Sequence, residues 1–582
     1  MKSNRPKLYL NLYWHMHQPD YRDTVTNEYV LPWTYLHAIK DYSDMAYHLE
    51  ENPKARVTFN FVPILLEQLE DYSNQFKQNA IRDPLLALLV KDNLAGISHE
   101  QCHLIVQSCF KSHHEKMLSP FPHYQRLLQI FQLVEPMIGV DEFHYLSAQY
   151  KADLLVWYHL AWCGESLRRN NKVVQMLMTK GVLFTLEDRQ QLFKVISDTI
   201  SGLIPRYKAL LKRKQIEIST TPYYHPILPL LIDFKSTIDA MPYAPLPKYA
   251  KYAGGQSRAA AHVDAANQYH ENLFGQKPRG MWPAEGGVSN AALSLMAEHG
   301  VEWAATGQAA LANSLLKSQL GLTDKSEYLY QPYRVTNGKQ DILCFFRDDN
   351  LSDKIGFEYA KMHTPDAVSD FIKTLEHTQQ TNLNAHSKVV SVILDGENAW
   401  EYYPYNGYYF LSELYEALAK HPDIEMTTFS DMVDLYQSAE YKTKAIFAPV
   451  LPQIAAGSWV YGTFSTWIGS KDKNLAWDLL CEAKKVYDSV LSKNTDSKNG
   501  LNADQLAACE RQLAICEGSD WFWWFGDYNS SDSVASFDQL YRRNLINLYT
   551  LLQQPVPAVL HKTISAGGGN ADNAGTMRRG TA

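Results

Sequence analysis

The sequence predicts an α/β protein: an incomplete (β/α)7 barrel with a long helical insertion and a C-terminal, mainly helical domain. Two observations predict this fold. Short apolar segments alternate with segments of helical periodicity, which is typical of β/α/β units around a parallel sheet. Seven strand candidates are present, one fewer than a complete (β/α)8 barrel requires.

The strand candidates are short runs rich in β-branched and aromatic residues, bounded by Gly, Pro or polar residues. They span 7–14, 57–63, 216–226, 279–285, 301–307, 341–348 and 388–397. Helical patterns such as 260–274 and 290–299 lie between most of the later ones. This alternation predicts a parallel sheet.

Four regions follow from this reading. A barrel domain covers 1–440, and a helical insertion at 64–215, too long for a barrel loop, interrupts it. Residues 441–560 are predicted to form a helical domain that contributes aromatic residues to the active site. Residues 561–582 are rich in Gly and Ala, with Met577 as their one large apolar residue. We therefore expect this tail to be disordered.

The amino-acid composition excludes some classes of binding partner. The net charge is −8, from 55 basic and 63 acidic residues, which disfavours nucleic acid and an anionic membrane surface. No run of about 18 apolar residues predicts a membrane span. The seven cysteines are odd in number and form no CxxC pair, which suits a reducing compartment. With no signal peptide evident at the N-terminus, we expect a cytoplasmic protein; the sequence does not determine its oligomeric state.

One stretch, "VVSVILDGENAWEYYP" at 389–404, combines a buried strand with two acids. Val389 to Leu394 is apolar enough for a central strand, and Asp395 and Glu397 follow it directly around Gly396. The acids therefore stand where a parallel strand leaves the core, which is where α/β folds place their chemistry.

Polar and aromatic side chains follow the other strand candidates as well, and in a barrel these ends converge on one face. They are His15, His17 and Gln18; Tyr224 and His225; Trp282 and Glu285; Arg347; and Asp395 and Glu397. Paired acids beside stacking aromatics are what glycosidic-bond hydrolysis requires. One carboxyl protonates the leaving oxygen, and the other attacks the anomeric carbon or activates water.

Each feature also has a simpler interpretation. Glu285 could be an acid that favours a helix dipole, and Asp395 an ordinary turn residue. His15 and His17 share one strand face, which is a possible two-ligand metal pattern. Two aromatic segments, 457–469 with Trp459 and 518–531, could be buried core or a sugar-stacking wall.

Five motifs resemble glycoside hydrolase family 57, a group of α-glucan-active enzymes with a (β/α)7 barrel, over most of residues 8–550. They are "HQP" at 17–19, "TTPYYHPILPL" at 220–230, "GMWPAEGGVS" at 280–289, "ILDGENAWEYYP" at 393–404 and "GSDWFWWFGD" at 518–527. The third and fourth together are the most specific. The long motifs, with "NFVP" at 60–63 and "RDDNLSDKIGF" at 347–357, are most similar to the amylopullulanase and α-amylase branch.

The resemblance implies a retaining mechanism in which Glu285 is the nucleophile and Asp395 the general acid/base. Retention requires the two carboxyls to lie about 5–5.5 Å apart. The resemblance and the clustering together predict a larger set of substrate-binding residues: His15, His17, Gln18, Tyr224, His225, Trp282, Arg347, Glu397, Trp400, Trp459, Asp520, Trp523, Trp524 and Asp527. We expect no metal ligand among them and no cofactor requirement, leaving open a structural Ca²⁺.

Two positions depart from the pattern expected of this branch. Gly307 and Gln308 stand where an Asp-Glu pair is expected, and Tyr528 and Asn529 stand where a His is expected nearby. Both departures concern subsites and linkage preference rather than the proposed carboxylate pair.

Four functions follow. The first is a retaining α-glucan hydrolase that cleaves α-1,4 bonds, with cleavage of α-1,6 bonds left open. The second is a transglycosylase of the 4-α-glucanotransferase or branching type. The third is a metal-dependent carbohydrate hydrolase using His15 and His17. The fourth is a non-catalytic glucan-binding protein. The expected partner in every case is a carbohydrate, an α-glucan or maltooligosaccharide for the first two.

Overall fold

The computed structural model describes residues 7–138, 143, 145–321, 324–381, 386–438, 447–494, 500–570 and 575–580 of the 582-residue chain. Seven parallel strands form a barrel, which confirms the predicted fold class. They are β1 (Leu8–Met16), β2 (Val57–Phe61), β3 (Ile216–Thr220), β4 (Gly280–Met281), β5 (Trp303–Gly307), β7 (Asp341–Arg347) and β8 (Lys388–Asp395). The sheet order β2-β3-β4-β5-β7-β8-β1 closes on itself because β1 also pairs with β2.

Two described strands lie outside the sequence prediction. β6 (Tyr333–Thr336) forms an antiparallel hairpin with β7, and Asn337 supports the turn by accepting hydrogen bonds from two following backbone N–H groups. β9 (Ile424–Thr427) pairs in parallel with the first half of β1, from Leu8 to Asn11. Both have only four residues, too few to show a clear period-2 pattern.

β1 lies at the centre of the sheet and sets the register of the site. It pairs with β8 from Leu8 to His15, so that His15 stands opposite Asp395. It pairs with β2 at its carboxyl end, where His15 stands opposite Asn60. Eight of its nine residues are buried, which explains its near-continuous apolar sequence.

Helices fill the connection between β1 and β2 and the long connection between β2 and β3. They are α1 (Trp33–His37), α2 (Ser43–Glu51), α3 (Pro63–Gln78), α4 (Pro84–Leu89), α5 (His99–Ser108), α6 (Pro122–Ile138), α7 (Ala148–Trp162), α8 (Glu165–Asn170), α9 (Lys172–Lys180) and α10 (Leu186–Lys212). Capping boxes begin α5 at Ser98 and α10 at Thr185.

The remaining barrel helices follow β3 to β9 in turn. They are α11 (Leu228–Ile232), α12 (Gly255–Phe274), α13 (Asn290–Glu298), α14 (Gln308–Lys317), α15 (Lys325–Tyr328), α16 (Asp349–Asp353), α17 (Thr364–Gln380), α18 (Tyr408–Lys420) and α19 (Phe429–Gln437). Among the described helices, none is long and apolar enough to cross a membrane.

The C-terminal region is helical, with α20 (Lys471–Asn494), α21 (Ala503–Cys516), α22 (Asp520–Trp524) and α23 (Ser531–Leu551). A buried ionic network fastens it to the barrel. Glu517 accepts hydrogen bonds from Arg258 and His262 on α12. Burial alone would raise the pKa of Glu517, but the His262 hydrogen bond and the Arg258 charge lower it to about 2. This anchor holds Ser519 and Asp520, just beyond it, against the barrel.

The described part of the tail differs from the predicted disorder. Residues 575–580 pack against the fold with Met577 buried, and Ile564 and Ser565 are buried in the preceding segment. Asp538 accepts hydrogen bonds from two backbone N–H groups of this tail. A Cβ on Gly569 would lie 2.5 Å from the Tyr528 backbone, so glycine permits this close approach. The composition that suggested disorder instead lets the backbone lie flat on the protein.

Candidate active site

Glu285 follows β4 in a backbone conformation that is rare for a residue other than glycine, with φ 57° and ψ 27°. Such a conformation costs on the order of 1–3 kcal/mol and persists only where its surroundings hold it. Trp459 supplies two of these contacts. Its backbone N–H donates to the Glu285 carbonyl (3.2 Å), and its indole Nε1–H donates to Glu285 Oε2 (3.0 Å). The carboxylate is therefore aimed by one tryptophan.

Asp395, at the end of β8, is half-buried and accepts a hydrogen bond from Asn398 Nδ2 at 3.0 Å. Burial raises its pKa to about 6, although that hydrogen bond and the nearby His17 and Arg347 oppose the shift. Burial also raises the pKa of Glu285, and the charge of Asp395 raises it further. The charge of Asp395 therefore disfavours ionisation of Glu285, so the two carboxyls are electrostatically coupled.

Glu397 is fully buried behind Asp395 and organises the "HQP" segment. Its Oε1 accepts from the His17 backbone N–H (3.2 Å), Gln18 Nε2 (3.3 Å) and the Tyr42 hydroxyl (3.3 Å). Burial and the charge of Asp395 raise the pKa of Glu397. Gln18 is committed to this network because its Oε1 also accepts from Tyr21. Glu397 and Gln18 therefore stabilise the arrangement of the residues around the site.

Three histidines from two segments, His15 and His17 at the end of β1 and His225 after β3, stack beside the carboxylates. The ring centroids of His17 and His225 are 3.9 Å apart, and those of His15 and His225 are 5.2 Å apart. One nitrogen of each ring is occupied: His15 Nδ1 by Asn60 (2.6 Å), His17 Nε2 by Asp520 (2.8 Å) and His225 Nδ1 by Ser519 (2.8 Å).

Two rings of this stack, those of His15 and His225, are neutral near pH 7. Burial and the charge of His17 lower the pKa of His15 to about 3, and burial with the neighbouring imidazoles lowers that of His225 as well. Nδ1 of His17 and Nε2 of His225 are buried and have no hydrogen-bond partner among the described residues. These two nitrogens are therefore available to a bound ligand's hydroxyl groups.

The same cluster is where a metal ion would be sought, since His17, His225 and Asp520 each place a ligand atom within 4.8 Å of the others. The geometry of the rings is unfavourable for this. The two imidazole planes are inclined by only 23°, so their in-plane lone pairs run side by side instead of converging on one point. The predicted absence of a metal ligand set remains a prediction, which the experiment below tests.

The structure does not place Arg347 where it could bind sugar. Its guanidinium is buried between Asp349 and Asp353, with N–O distances of 2.7 Å to each, and it also donates to the Ile393 carbonyl. Its guanidinium carbon lies 5.5 Å from the centre of the Trp459 ring. Since each of its three side-chain nitrogens already donates within the protein and the side chain is buried, Arg347 acts as a support for Trp459.

Two predicted aromatic subsites, Trp400 and Trp282, are fully buried, so their rings offer no face to a sugar. Trp400 is buried against Trp14 and donates to the Gly396 carbonyl, so it stabilises the turn after β8. Trp282 is fully buried beneath His15 and Trp459. Their residue type suggested sugar stacking, but at these positions in the motifs the side chains are directed into the core.

In the C-terminal motif at 518–527, too, only some of the predicted residues lie at the site. Asp520 reaches His17, and Trp523 is buried with its Nε1–H bonded to the Gly575 carbonyl. Trp524 instead stacks on Phe537 of α23, with ring centroids 4.8 Å apart, and Asp527 is exposed to solvent. Elsewhere at the rim, half-buried Tyr224 contacts Tyr223.

Sequence reasoning missed Asn398 and the tail residues near the carboxylates. Asn398 stands three residues after Asp395, inside the quoted motif, but nothing in its type marks it as the partner of that acid. A Cβ on Gly307 would lie 2.6 Å from Trp459 Cα, so the departure at this position makes room for the residue that holds Glu285.

Comparisons with known proteins identify the family. The model of glycosyl hydrolase family 57 matches residues 11–450, well over half of the sequence. The chain belongs to glycosyl hydrolase family 57. No curated protein sequence matches it.

Solved structures match the fold of nearly the whole chain. The branching enzyme TK1436 from Thermococcus kodakaraensis has 14% identity and a TM-score of 0.55, covering 94% of this chain and 88% of that one. The α-amylase AmyC from Thermotoga maritima has 13% identity and a TM-score of 0.54, covering 94% and 93%. At these identities the likeness concerns the family 57 fold.

Replacing Trp459 by Phe should remove the indole N–H that stabilises ionised Glu285. The pKa of Glu285 should then rise further, so the acidic limb of the kcat/KM profile should move to higher pH. A hydrogen bond to a charged group contributes about 1.5–3 kcal/mol, which corresponds to a roughly 10- to 100-fold loss of kcat/KM near neutral pH. A pH profile on a maltooligosaccharide measures this.

Trp467→Phe is the matched control, because the Trp467 indole N–H has no partner among the described residues although its ring packs on Trp523. Its acidic limb should stay at the wild-type position. An unmoved limb in Trp459→Phe would mean that Trp459 does not set the ionisation of Glu285.

Proposed function

We propose that this protein is a retaining α-glucan hydrolase that cleaves α-1,4 glucosidic bonds through a covalent glycosyl-enzyme, with α-1,6 bonds as the second linkage to be tested. The observation that carries the proposal is the coupled pair at the barrel rim. Glu285 is aimed by Trp459, and Asp395 has a pKa of about 6, suitable for a proton donor. Family membership makes carbohydrate the substrate class.

In the first step, ionised Glu285 attacks the anomeric carbon while Asp395 transfers its proton to the departing glycosidic oxygen. The bond to the leaving sugar breaks as the ester bond to Glu285 forms. In the second step, Asp395 accepts a proton from water, and that water cleaves the ester with a second inversion, so the configuration is retained. The Trp459 N–H favours the productive arrangement, with the charge on Glu285 and the proton on Asp395.

The histidine stack would hold the sugar beside these carboxyls. Neutral His225, with its free Nε2, can accept a hydrogen bond from a sugar hydroxyl, and the free nitrogen of His17 offers a second contact. Asp520 fixes the orientation of the His17 ring. The ring of Trp523 is the proposed aromatic face for stacking.

A transglycosylase differs only in the acceptor, a sugar hydroxyl in place of water. The fold likeness to a branching enzyme is as high as that to an α-amylase, with TM-scores of 0.55 and 0.54, which supports this second candidate. A cytoplasmic storage or imported α-glucan is the corresponding proposed substrate.

Product chromatography on maltoheptaose and on pullulan, with and without EDTA, tests the proposal. We expect shorter maltooligosaccharides from maltoheptaose, unaffected by EDTA; cleavage of pullulan would extend the activity to α-1,6 bonds. Products longer than maltoheptaose would identify the transglycosylase instead. Loss of turnover with EDTA, restored by Zn²⁺, would overturn the two-carboxylate mechanism in favour of the histidine cluster as a metal site.

A further inference from the structure

Residues 575–580, Gly-Thr-Met-Arg-Arg-Gly, lie across the candidate active site; we call them the tail segment. Backbone hydrogen bonds fix both of its ends. The Gly575 carbonyl accepts from Trp523 Nε1 at 2.9 Å. Gly580 donates its N–H to Asp353 (3.0 Å) and accepts from the Tyr461 N–H (2.9 Å).

The tail segment contacts the immediate neighbours of both carboxylates. Asn398 Nδ2, which donates to Asp395, also donates to the Thr576 carbonyl at 3.3 Å. Tyr461, which holds Gly580, stands two residues after Trp459, the residue that aims Glu285. The segment therefore extends from the Asp395 side to the Glu285 side of the pair.

Two arginines of the tail segment occupy aromatic faces. The Arg578 guanidinium lies 4.8 Å from the Trp523 ring centre and 4.1 Å from that of Tyr528. Arg579 lies 4.6 Å from the Phe357 ring centre. The Arg578 charge also lowers the pKa of Glu285, against the larger effects of burial and Asp395. Arg578 thus covers the aromatic surface that a glucosyl ring would stack on.

The fit of the tail segment depends on its terminal glycines. A Cβ on Gly580 would lie 2.4 Å from Asp349 Cγ and 2.6 Å from Arg347 Nη1, and both side chains are held by their ion pair. Gly575 has φ +82°, and its Cβ would lie 2.6 Å from Asn529 Oδ1. A larger residue at either end would disturb the contacts that fix the segment.

We propose that the tail segment is an intramolecular ligand of this site, a cationic peptide bound by acidic and aromatic groups, and that α-glucan must displace it to bind. The competition with glucan rests on the proposed function, whereas the docking of the segment does not. The tail segment therefore inhibits the protein at low glucan concentration.

Gly580→Ala in the full chain tests the competition. Its Cβ should weaken docking, so the KM for maltoheptaose should fall with little change in kcat. The fall should be roughly tenfold if the tail segment occupies about nine-tenths of the wild-type molecules. Gly202→Ala is the control, because a Cβ on this helical glycine meets nothing within 4 Å; its KM should equal that of the wild type.

The peptide Gly-Thr-Met-Arg-Arg-Gly, added to Gly580→Ala, should inhibit competitively with maltoheptaose, and Gly-Thr-Met-Ala-Ala-Gly should not. An unchanged or higher KM in Gly580→Ala, together with no inhibition by the peptide, would overturn the proposal. Hydrogen exchange at the Gly580 amide reports docking without turnover. Protection that is lost in Gly580→Ala, in a protein that neither binds nor cleaves glucan, would support docking and refute the proposed function.

Discussion

Glu285→Gln is expected to reduce kcat on maltoheptaose by on the order of 10⁴-fold or more, because an amide cannot form the glycosyl ester. The variant should nevertheless fold at least as stably as the wild type. Burial and Asp395 raise the folded-state pKa of Glu285, so the ionised form that dominates the unfolded chain at pH 7 is disfavoured in the folded one. Kinetics and thermal unfolding at pH 7 measure the two effects.

Glu425→Gln is the matched control, since Glu425 is exposed on β9 and pairs with Lys7 at the other end of the barrel sheet. Its turnover should be that of the wild type. Turnover of Glu285→Gln within tenfold of wild type would show that another group attacks the substrate.

Asp395→Asn is expected to reduce turnover of maltoheptaose about 10²–10⁴-fold, because an amide supplies no proton to the glycosidic oxygen. Formation of the glycosyl-enzyme from maltosyl fluoride should be much less affected, since fluoride departs without protonation. Hydrolysis of the ester would still lack its base, so azide, which needs none, should restore turnover and yield a glycosyl azide.

The pH profile gives a second test of Asp395. In the wild type, kcat/KM should fall as the pH rises through about 6, because Asp395 then loses the proton that it must donate. In Asp395→Asn, with maltosyl fluoride as substrate, this basic limb should be absent. Equal losses on maltoheptaose and on the fluoride, with no rescue by azide, would remove Asp395 from the acid/base role.

The sequence was most informative where polar or ionisable residues directly follow an apolar strand. All seven barrel strands were predicted, because central parallel strands have apolar runs that end at polar residues. The clustering of His15, His17, His225, Glu285 and Asp395 followed from that, since the carboxyl ends of the strands share one rim. What the sequence could not supply was the direction of each side chain.

Arg347 and Trp400 show this limit. Both stand in motifs directly after barrel strands, yet one is enclosed by Asp349 and Asp353 and the other packs on Trp14. The tail shows a different limit. Gly-rich composition predicts a chain that cannot form its own core, but it does not reveal that an existing surface accepts that backbone.

The central claim is that Glu285 forms a covalent bond with the substrate, and mass spectrometry of a trapped intermediate tests it most directly. A glycosyl fluoride with a second fluorine at C5 keeps a good leaving group while slowing hydrolysis of the ester, since the added fluorine destabilises an oxocarbenium-like transition state. Incubated with the full-length protein and then digested, it should add the mass of one fluoroglycosyl group to the peptide that contains Glu285. An adduct on Asp395 or Glu397, or turnover that gives product of inverted anomeric configuration with no adduct at all, would contradict the account.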